Sequence, residues 1–204
     1  QRPVEWLMAH AQVDARWCLV HATHVTDAEV AAIAHSQAVV GLCPVTEANL
    51  GDGIFPGAAF RDQQGRYGVG SDSNVMIDMA EELRWLEYGQ RLALRARNVL
   101  ADGAGGSTGQ AIFTAALKGG AQALGCGSGI AVGQSADMIA LDDRHASLAG
   151  RASASIIDSF LFSAGRQAIS TVWRRGTVVV REGRHVARDA IVARYRQALG
   201  ALLA

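Results

Sequence analysis

Three short apolar runs limit what this chain can fold into more than any other feature. Two of them, residues 17–20 and 38–43, are continuous and contain β-forming side chains. The third, residues 67–70, is too short and too rich in glycine for a helix. Uninterrupted apolar strands are typical of a sheet that is covered on both faces. Helical patterns separate and follow these runs, so the sequence predicts parallel α/β units with right-handed connections.

Capping motifs mark the predicted helix starts. Residues 26–29 and 78–81 each place an acceptor side chain at the cap position and a glutamate three residues later. They predict one helix that ends near His35 and an amphipathic helix over residues 79–97. Residues 45–60 contain several glycines and a proline, and are predicted as a long loop that helps to decide the substrate.

The C-terminal third has a different pattern. A helix predicted over residues 108–123 is followed by short strands and by a hairpin turn at Gly176, which is typical of antiparallel structure. We therefore predict two domains, residues 1–132 and residues 133–204. A closing helix is predicted from Arg188 onward, and its apolar face consists of Ile191, Val192, Tyr195 and Leu199. The predicted strands are residues 136–141, 168–173 and 177–180.

The chain begins as if in the middle of a fold. Gln1 stands where a complete protein would have Met, and residues 4–9 have the pattern of a helix already under way. Three parallel strands cannot close into a barrel by themselves. We therefore expect this sequence to be part of a longer protein.

Composition excludes several classes of partner. The chain has 19 Lys or Arg and 19 Asp or Glu, so its formal net charge is zero and nothing favours nucleic acid or an anionic membrane. No run approaches the ~20 apolar residues of a transmembrane helix, and the first residues lack a signal-peptide pattern. Cys18, Cys43 and Cys126 are scattered without a C-x-x-C pair, which indicates reduced thiols in a cytoplasmic protein.

His21 and Asp72 are the strongest candidates for chemistry. Each follows a predicted strand, and the carboxyl ends of parallel strands meet at one mouth. An imidazole and a carboxylate at such a place can bind a metal or transfer a proton. Simpler interpretations stay open: Asp72 can cap the following turn, His21 can be a buried histidine with satisfied hydrogen bonds, and His24 can belong to the start of a helix.

Two glycine-rich motifs are weaker candidates. Residues 105–109 match G-x-S-x-G, but a nucleophile elbow needs a strand before the serine, and here a helix precedes it. Ser107 or Thr108 therefore more plausibly caps the next helix. Residues 125–129 faintly resemble a dinucleotide-binding loop, but they lack the strand before and the helix after it, so we interpret them as a connection between modules.

Six segments of the chain are similar to known proteins: residues 18–24, 41–44, 46–53, 70–73, 81–91 and 133–137. Together they resemble one enzyme family, the formimidoylglutamate deiminases, which act in histidine degradation and belong to the amidohydrolase superfamily. The strand-end histidine and aspartate are typical of the superfamily, whereas residues 46–53 and 81–91 are similar to the narrower family. The resemblance covers nearly the whole chain.

This resemblance implies a fold and a reaction. The chain would be the C-terminal portion of an α/β (β/α)8 amidohydrolase barrel, with its sixth to eighth strands, plus part of a small composite β-sandwich. The implied enzyme uses one Zn²⁺ per complete subunit to hydrolyse N-formimino-L-glutamate to N-formyl-L-glutamate and ammonia. His21 would be the catalytic histidine that assists the metal-bound water. Asp72 would contact the zinc and move a proton.

The resemblance also shows what this chain does not supply. An H-x-H pair and a further histidine with a nearby acid are expected as ligands but are absent from the sequence, so a catalytic metal would need the N-terminal half of the same protein. Asn74 stands where the family commonly has a histidine, and asparagine cannot titrate near neutral pH. The family resemblance suggests a homodimer. No substrate-binding residue is identified, including any arginine for the substrate carboxylates.

Two alternatives remain. The chain could belong to another deaminase or to a chlorohydrolase-like enzyme of the same superfamily. It could also be a non-catalytic fragment that folds against a partner half.

Overall fold

A three-stranded parallel sheet lies at the centre of the N-terminal part of the chain. The computed structural model describes residues 1–74 and 76–204. Its first sheet contains β1 (Cys18–Val20), β2 (Val39–Leu42) and β3 (Arg66–Val69) in that order. Val40 of the middle strand is in register with Leu19 on one side and Tyr67 on the other. The predicted parallel α/β arrangement is therefore confirmed.

Helices connect these strands and continue the chain beyond them. A π-helical turn (Phe160–Ala164) and two 3-10 turns (Ala146–Leu148 and Gly165–Ala168) lie in the C-terminal part. The α-helices are α1 (Pro3–His10), α2 (Asp27–Ser36), α3 (Pro44–Leu50), α4 (Gly57–Asp62), α5 (Met79–Leu94), α6 (Thr108–Ala123), α7 (Ala154–Ser159) and α8 (Arg188–Leu203).

The two predicted capping boxes have different outcomes. At the start of α2, the Glu29 amide donates to Thr26 Oγ1 (3.3 Å) and the Thr26 amide donates to Glu29 Oε2 (2.8 Å), so this box is complete. At the start of α5, Asp78 accepts from the Ala80 amide (2.9 Å), whereas Glu81 pairs with Arg84 instead. The helix was predicted correctly, but its reciprocal box was wrong because an arginine one turn later competes for the glutamate.

The predicted loop over residues 45–60 is wrong. Pro44 follows β2 and occupies the first turn of α3, where its fixed φ and missing amide hydrogen cause no loss. Gly51 ends α3 with a φ of 70°, a left-handed cap that glycine adopts without strain. Proline and glycine, which break a long periodic pattern, thus begin and end the short helix α3. The second helix in this segment, α4, follows Pro56.

An antiparallel sheet follows α6. It contains β4 (Met138–Leu141), β5 (Ile169–Arg174), β6 (Thr177–Arg181) and the short β7 (Arg184–His185) in that order, with the predicted hairpin at Gly176. Between β4 and β5 the chain forms α7 and the π-helical turn, which pack against α6 and α5. These turns were missed because each is too short to show a helical period. The domain boundary at residue 133 stays a prediction.

Some predicted apolar surfaces are open in this chain. β2 is buried, as a strand covered on both faces should be, but β1 is largely exposed because it forms an edge of the sheet within the described residues. α8 begins at Arg188 as predicted. Its predicted apolar face is not buried, and Tyr195 is 62% exposed.

The main core lies between the first sheet and the helices around it. The largest fully buried apolar side chains come from α2, α4, β2, α5, α6 and the π-helical turn, so one core joins the N-terminal sheet to the helices that follow it. These side chains include Ile33, Phe60, Leu42, Leu83, Ile112 and Leu161. Within the described part of the chain, no helix is both long and apolar enough to cross a membrane.

α6 approaches β3 closely enough that only glycine fits between them. A Cβ on Gly119 would lie 2.0 Å from the Tyr67 carbonyl oxygen, and a Cβ on Gly68 would lie 3.0 Å from the Gly120 backbone. A Cβ on Gly120 would meet nothing within 4 Å. The adjacent glycines of α6 therefore have different roles, because one faces the sheet and the other does not.

We predict that Gly119→Ala lowers the free energy of unfolding by at least ~2 kcal/mol, since the methyl group would force α6 away from β3. Gly120→Ala is the matched control and should raise it by ~0.5–1 kcal/mol through helix propensity. Denaturant unfolding measures both. Equal effects of the two substitutions would contradict the close contact at Gly119.

Candidate functional site

The structure brings His21 and Asp72 together at the carboxyl ends of β1 and β3. His21 Nε2 lies 3.8 Å from Asp72 Oδ2, and both side chains are more than a third exposed. The third strand, predicted over residues 67–70, is β3 and ends at Val69, three residues before Asp72. The ladder continues only to the Gly70 amide, which donates to the Leu42 carbonyl (2.9 Å). The juxtaposition predicted from the sequence is therefore present.

Both residues have left-handed backbone conformations. The φ angle is 64° at His21 and 48° at Asp72, and Ala22 also has a positive φ of 48°. Residues with a Cβ rarely adopt such values, and surrounding contacts must hold them there. At His21 the backbone is held by the amide, which donates to the Gly41 carbonyl (2.8 Å) and so extends the pairing of β1 with β2.

Glu47 fixes the orientation of the His21 ring. Its Oε1 lies 3.2 Å from His21 Nδ1 and also accepts from the Cys43 amide (2.9 Å). The Glu47 side chain is only 6% exposed, so this contact lies beneath the open site. In the neutral ring, Nδ1 carries the proton that faces Glu47, and Nε2 is left with a lone pair directed toward Asp72.

Glu82 joins the two segments that carry the site. Its Oε2 accepts from the Val45 amide (2.9 Å) in α3, and its Oε1 accepts from Asn74 Nδ2 (2.9 Å). Burial raises the pKa of Glu82, although both hydrogen bonds act in the opposite direction. A second link is parallel to this one, since Thr46 Oγ1 donates to the Ser71 carbonyl (3.0 Å).

Asn74 is part of the structure that holds the Asp72 loop. Besides its bond to Glu82, its side-chain amide donates to the Ser71 carbonyl. Among the described residues, the buried Asn74 Oδ1 and Thr23 Oγ1 have no hydrogen-bond partner. The substitution that the family resemblance singled out therefore lies two residues from Asp72 and bonds to a buried carboxylate.

Sequence reasoning missed Glu47, Thr46 and Glu82 as parts of the site. The first two were hidden because residues 45–60 were predicted as a loop, so that Glu47 had no reason to point back beneath the end of β1. One signal was available: both glutamates fall within the segments that carry the family resemblance.

Cys43 lies at the site, but its thiol is unreactive at neutral pH. Burial, followed by the nearby carboxylates of Glu47, Asp72 and Glu82, raises the pKa of its thiol to about 11. The thiolate form, which reacts and binds metals, is therefore scarce at neutral pH. Cys18, Cys43 and Cys126 are all free, as predicted, and the other two are exposed.

The other candidates lie outside this site. Ser107 caps α6 by accepting from the Gln110 amide (3.0 Å), and no strand precedes it, so the nucleophile-elbow match is a coincidence. Residues 125–129 connect α6 to β4 with no helix after them, which agrees with a connection between modules. His24 is exposed just before α2, and its carbonyl accepts from Arg2.

The site contains two side chains of the types that bind metal ions. His21 and Asp72 present a nitrogen and an oxygen donor of the kinds that zinc takes. In the part of the chain that the structure describes, no group of three or more His, Cys, Asp and Glu side chains could hold a metal ion. These residues therefore fit a zinc ion only if further ligands complete the set.

Comparison with known proteins identifies the class. The amidohydrolase family model matches residues 1–179, so the chain belongs to the amidohydrolase family. It is 50% identical over 204 residues to formimidoylglutamate deiminase from Pseudomonas aeruginosa, covering all of this chain and 45% of that protein. The chain thus spans less than half the length of this curated relative. The family resemblance seen in the sequence is confirmed.

Solved structures give the same result. The fold superimposes on an amidohydrolase from Brucella melitensis with a TM-score of 0.93 and 47% identity, over 100% of this chain and 45% of that one. It also matches an adenosine deaminase from Xanthomonas campestris with bound zinc, with a TM-score of 0.83 and 26% identity, over 97% of this chain and 45% of that one. The predicted amidohydrolase α/β fold is confirmed, and this chain contains only part of it.

Proposed function

We propose that this chain is the C-terminal share of an enzyme that hydrolyses N-formimino-L-glutamate to N-formyl-L-glutamate and ammonia. The observation that carries the proposal is the pairing of His21 with Asp72 at the strand ends (3.8 Å) in a chain that is 50% identical over its whole length to a formimidoylglutamate deiminase. Because the chain spans 45% of that relative, the remaining strands and ligands belong to the complementary part of the protein.

Zinc is the metal we propose for the complete enzyme. Asp72 would hold it together with ligands from outside this chain, and His21 would lie beside it. When bound, zinc supplies hydroxide at neutral pH because it lowers the pKa of water to ~7. The structural neighbour with bound zinc supports this choice.

Asp72 would act as the proton acceptor. Its side chain is 39% exposed, so water can reach Oδ2, and the His21 ring lies 3.8 Å from that oxygen. The proton that leaves the attacking water would pass to Oδ2 and then to the nitrogen of the amidine. The second proton of the water would follow it when the hydroxyl group of the tetrahedral centre becomes the carbonyl of N-formyl-L-glutamate. With both protons the nitrogen departs as ammonia as its bond to carbon breaks, and the carbonyl oxygen comes from the water.

His21 would orient the attacking water. Glu47 holds Nδ1, so Nε2 points into the open site and can hydrogen-bond the water without a change of ring orientation. The 3.8 Å between Nε2 and Asp72 Oδ2 is too long for a direct hydrogen bond. A water to one side of the pair can hydrogen-bond to both groups at once, which is what the proposed reaction needs.

The substrate assignment is tested with the complete enzyme. It should release ammonia from N-formimino-L-glutamate with a kcat/KM at least ~100-fold above that for 5′-methylthioadenosine, since a site built for polar groups rejects a substrate that lacks them. The second compound is chosen because proteins named 5-methylthioadenosine/S-adenosylhomocysteine deaminase are more distant relatives, such as one from Pyrococcus abyssi at 27% identity. A higher kcat/KM for the nucleoside would refute N-formimino-L-glutamate as the substrate.

The roles of His21 and Asp72 are tested by substitution in the same enzyme. We expect His21→Asn and Asp72→Asn each to lower kcat by at least ~100-fold, because each removes a group that handles a proton or the attacking water. Only Asp72→Asn should also weaken zinc retention. Ammonia release and elemental zinc content are measured on folded protein.

The matched control is His35→Asn, the same change at an exposed position near the end of α2. It should leave kcat and zinc content unchanged. If His21→Asn retains most of its activity, the assigned role of this histidine is wrong.

A further inference from the structure

Glu82 is a buried carboxylate without a cationic partner among its described contacts. Its side chain belongs to a residue that is 2% exposed, and both oxygens accept from neutral donors, the Val45 amide and Asn74 Nδ2. Burying a charge in this way costs free energy, and the nearby carboxylates of Glu47 and Asp78 add to the cost. Packing of the core gives no reason for a carboxylate at this buried position.

The contacts of Glu82 supply that reason. Val45 lies in the first turn of α3, which also carries Glu47, the residue that orients His21. Asn74 closes the turn that carries Asp72, because its amide and its side chain both bond to the Ser71 carbonyl. One carboxylate on α5 therefore holds both the helix behind His21 and the loop behind Asp72.

We propose that Glu82 is a positioning residue that sets the spacing of His21 and Asp72. It acts through α3 on one side and through Asn74 on the other, and it touches neither of the two site residues. Thr46, which donates to the Ser71 carbonyl, adds a second and weaker tie between the same segments. This inference rests on the proposed function, since it concerns the rate of that reaction.

Asn74 has a defined place in this arrangement. Its Nδ2 provides the donor that Glu82 needs, while its buried Oδ1 has no partner among the described residues. In this chain the side chain of residue 74 therefore serves as a donor toward Glu82, and an asparagine cannot transfer a proton near neutral pH. The loop is held by a hydrogen bond that does not depend on the protonation of residue 74.

Glu87 offers a matched control on the same helix. It is fully buried, as Glu82 nearly is. Its two oxygens accept from the Val99 amide (2.9 Å) and the Leu100 amide (3.0 Å), so both oxygens of each glutamate are hydrogen-bonded. It also pairs with Arg91. Its partners lie in the segment after α5 and not in the segments that carry His21 and Asp72.

The experiment compares Glu82→Gln with Glu87→Gln in the complete zinc-loaded enzyme. Glutamine keeps the shape of the side chain but turns one acceptor into a donor, so each variant loses one buried hydrogen bond. Both should melt at a lower temperature. Only Glu82→Gln should lower kcat, by ~10- to 100-fold with KM within ~3-fold, since small displacements of reacting groups have effects of this size.

A second readout does not depend on turnover. The imidazole nitrogen NMR shifts of His21, assigned with His21→Asn, should change in Glu82→Gln and stay at the wild-type values in Glu87→Gln. Equal losses of kcat in the two variants, or a Glu82→Gln enzyme with wild-type kcat and His21 shifts, would overturn the positioning role. A wild-type enzyme inactive on N-formimino-L-glutamate would refute the proposed function instead, while the His21 shifts would still test the positioning.

Discussion

The hydrogen bond between Glu47 and His21 Nδ1 is the contact on which the rest of the site depends. It fixes the ring so that Nε2 faces Asp72, and it is itself fixed because Glu47 also accepts from the Cys43 amide at the end of β2. A strand end, a helix start and a histidine with a left-handed φ are thus joined by one carboxylate. Orientation of a histidine by a second carboxylate is a recurrent arrangement behind metal and acid–base sites.

The sheet and its helices make this contact possible. β2 lies between β1 and β3, so the ends of the two outer strands are two strand spacings apart, and the residues that follow them must curl inward to meet. His21, Ala22 and Asp72 lie in these turns and have positive φ angles. The buried carboxylates of Glu47 on α3 and Glu82 on α5 bond to the segments that carry these residues.

Much of the fold could be predicted from local patterns. The strand end before His21, the complete capping box at Thr26 and the helix over 108–123 all depend on residues close together in sequence, and all were confirmed. Residues 45–60 were mispredicted because Pro44 and Gly51 carry opposite meanings inside and at the ends of a helix. Only the tertiary structure shows that Pro44 begins one.

The site was predictable only in part, for a related reason. His21 and Asp72 could be found because each directly follows a strand pattern. Glu47 and Glu82 could not, since their importance comes from amides and a side-chain amide that are distant in sequence, such as the Val45 amide for Glu82. A glutamate in a sequence is not unusual in itself, and it becomes so only when the structure shows that its carboxylate is buried.

The most direct test of the roles given to Asp72 and His21 is a crystal structure of the complete enzyme with zinc, located by its anomalous scattering. The proposed arrangement predicts a zinc peak at a coordination distance of about 2.0–2.2 Å from an Asp72 carboxylate oxygen, with the His21 ring still bonded to Glu47. A zinc ion held entirely by other residues, with Asp72 turned away from it, would contradict the arrangement.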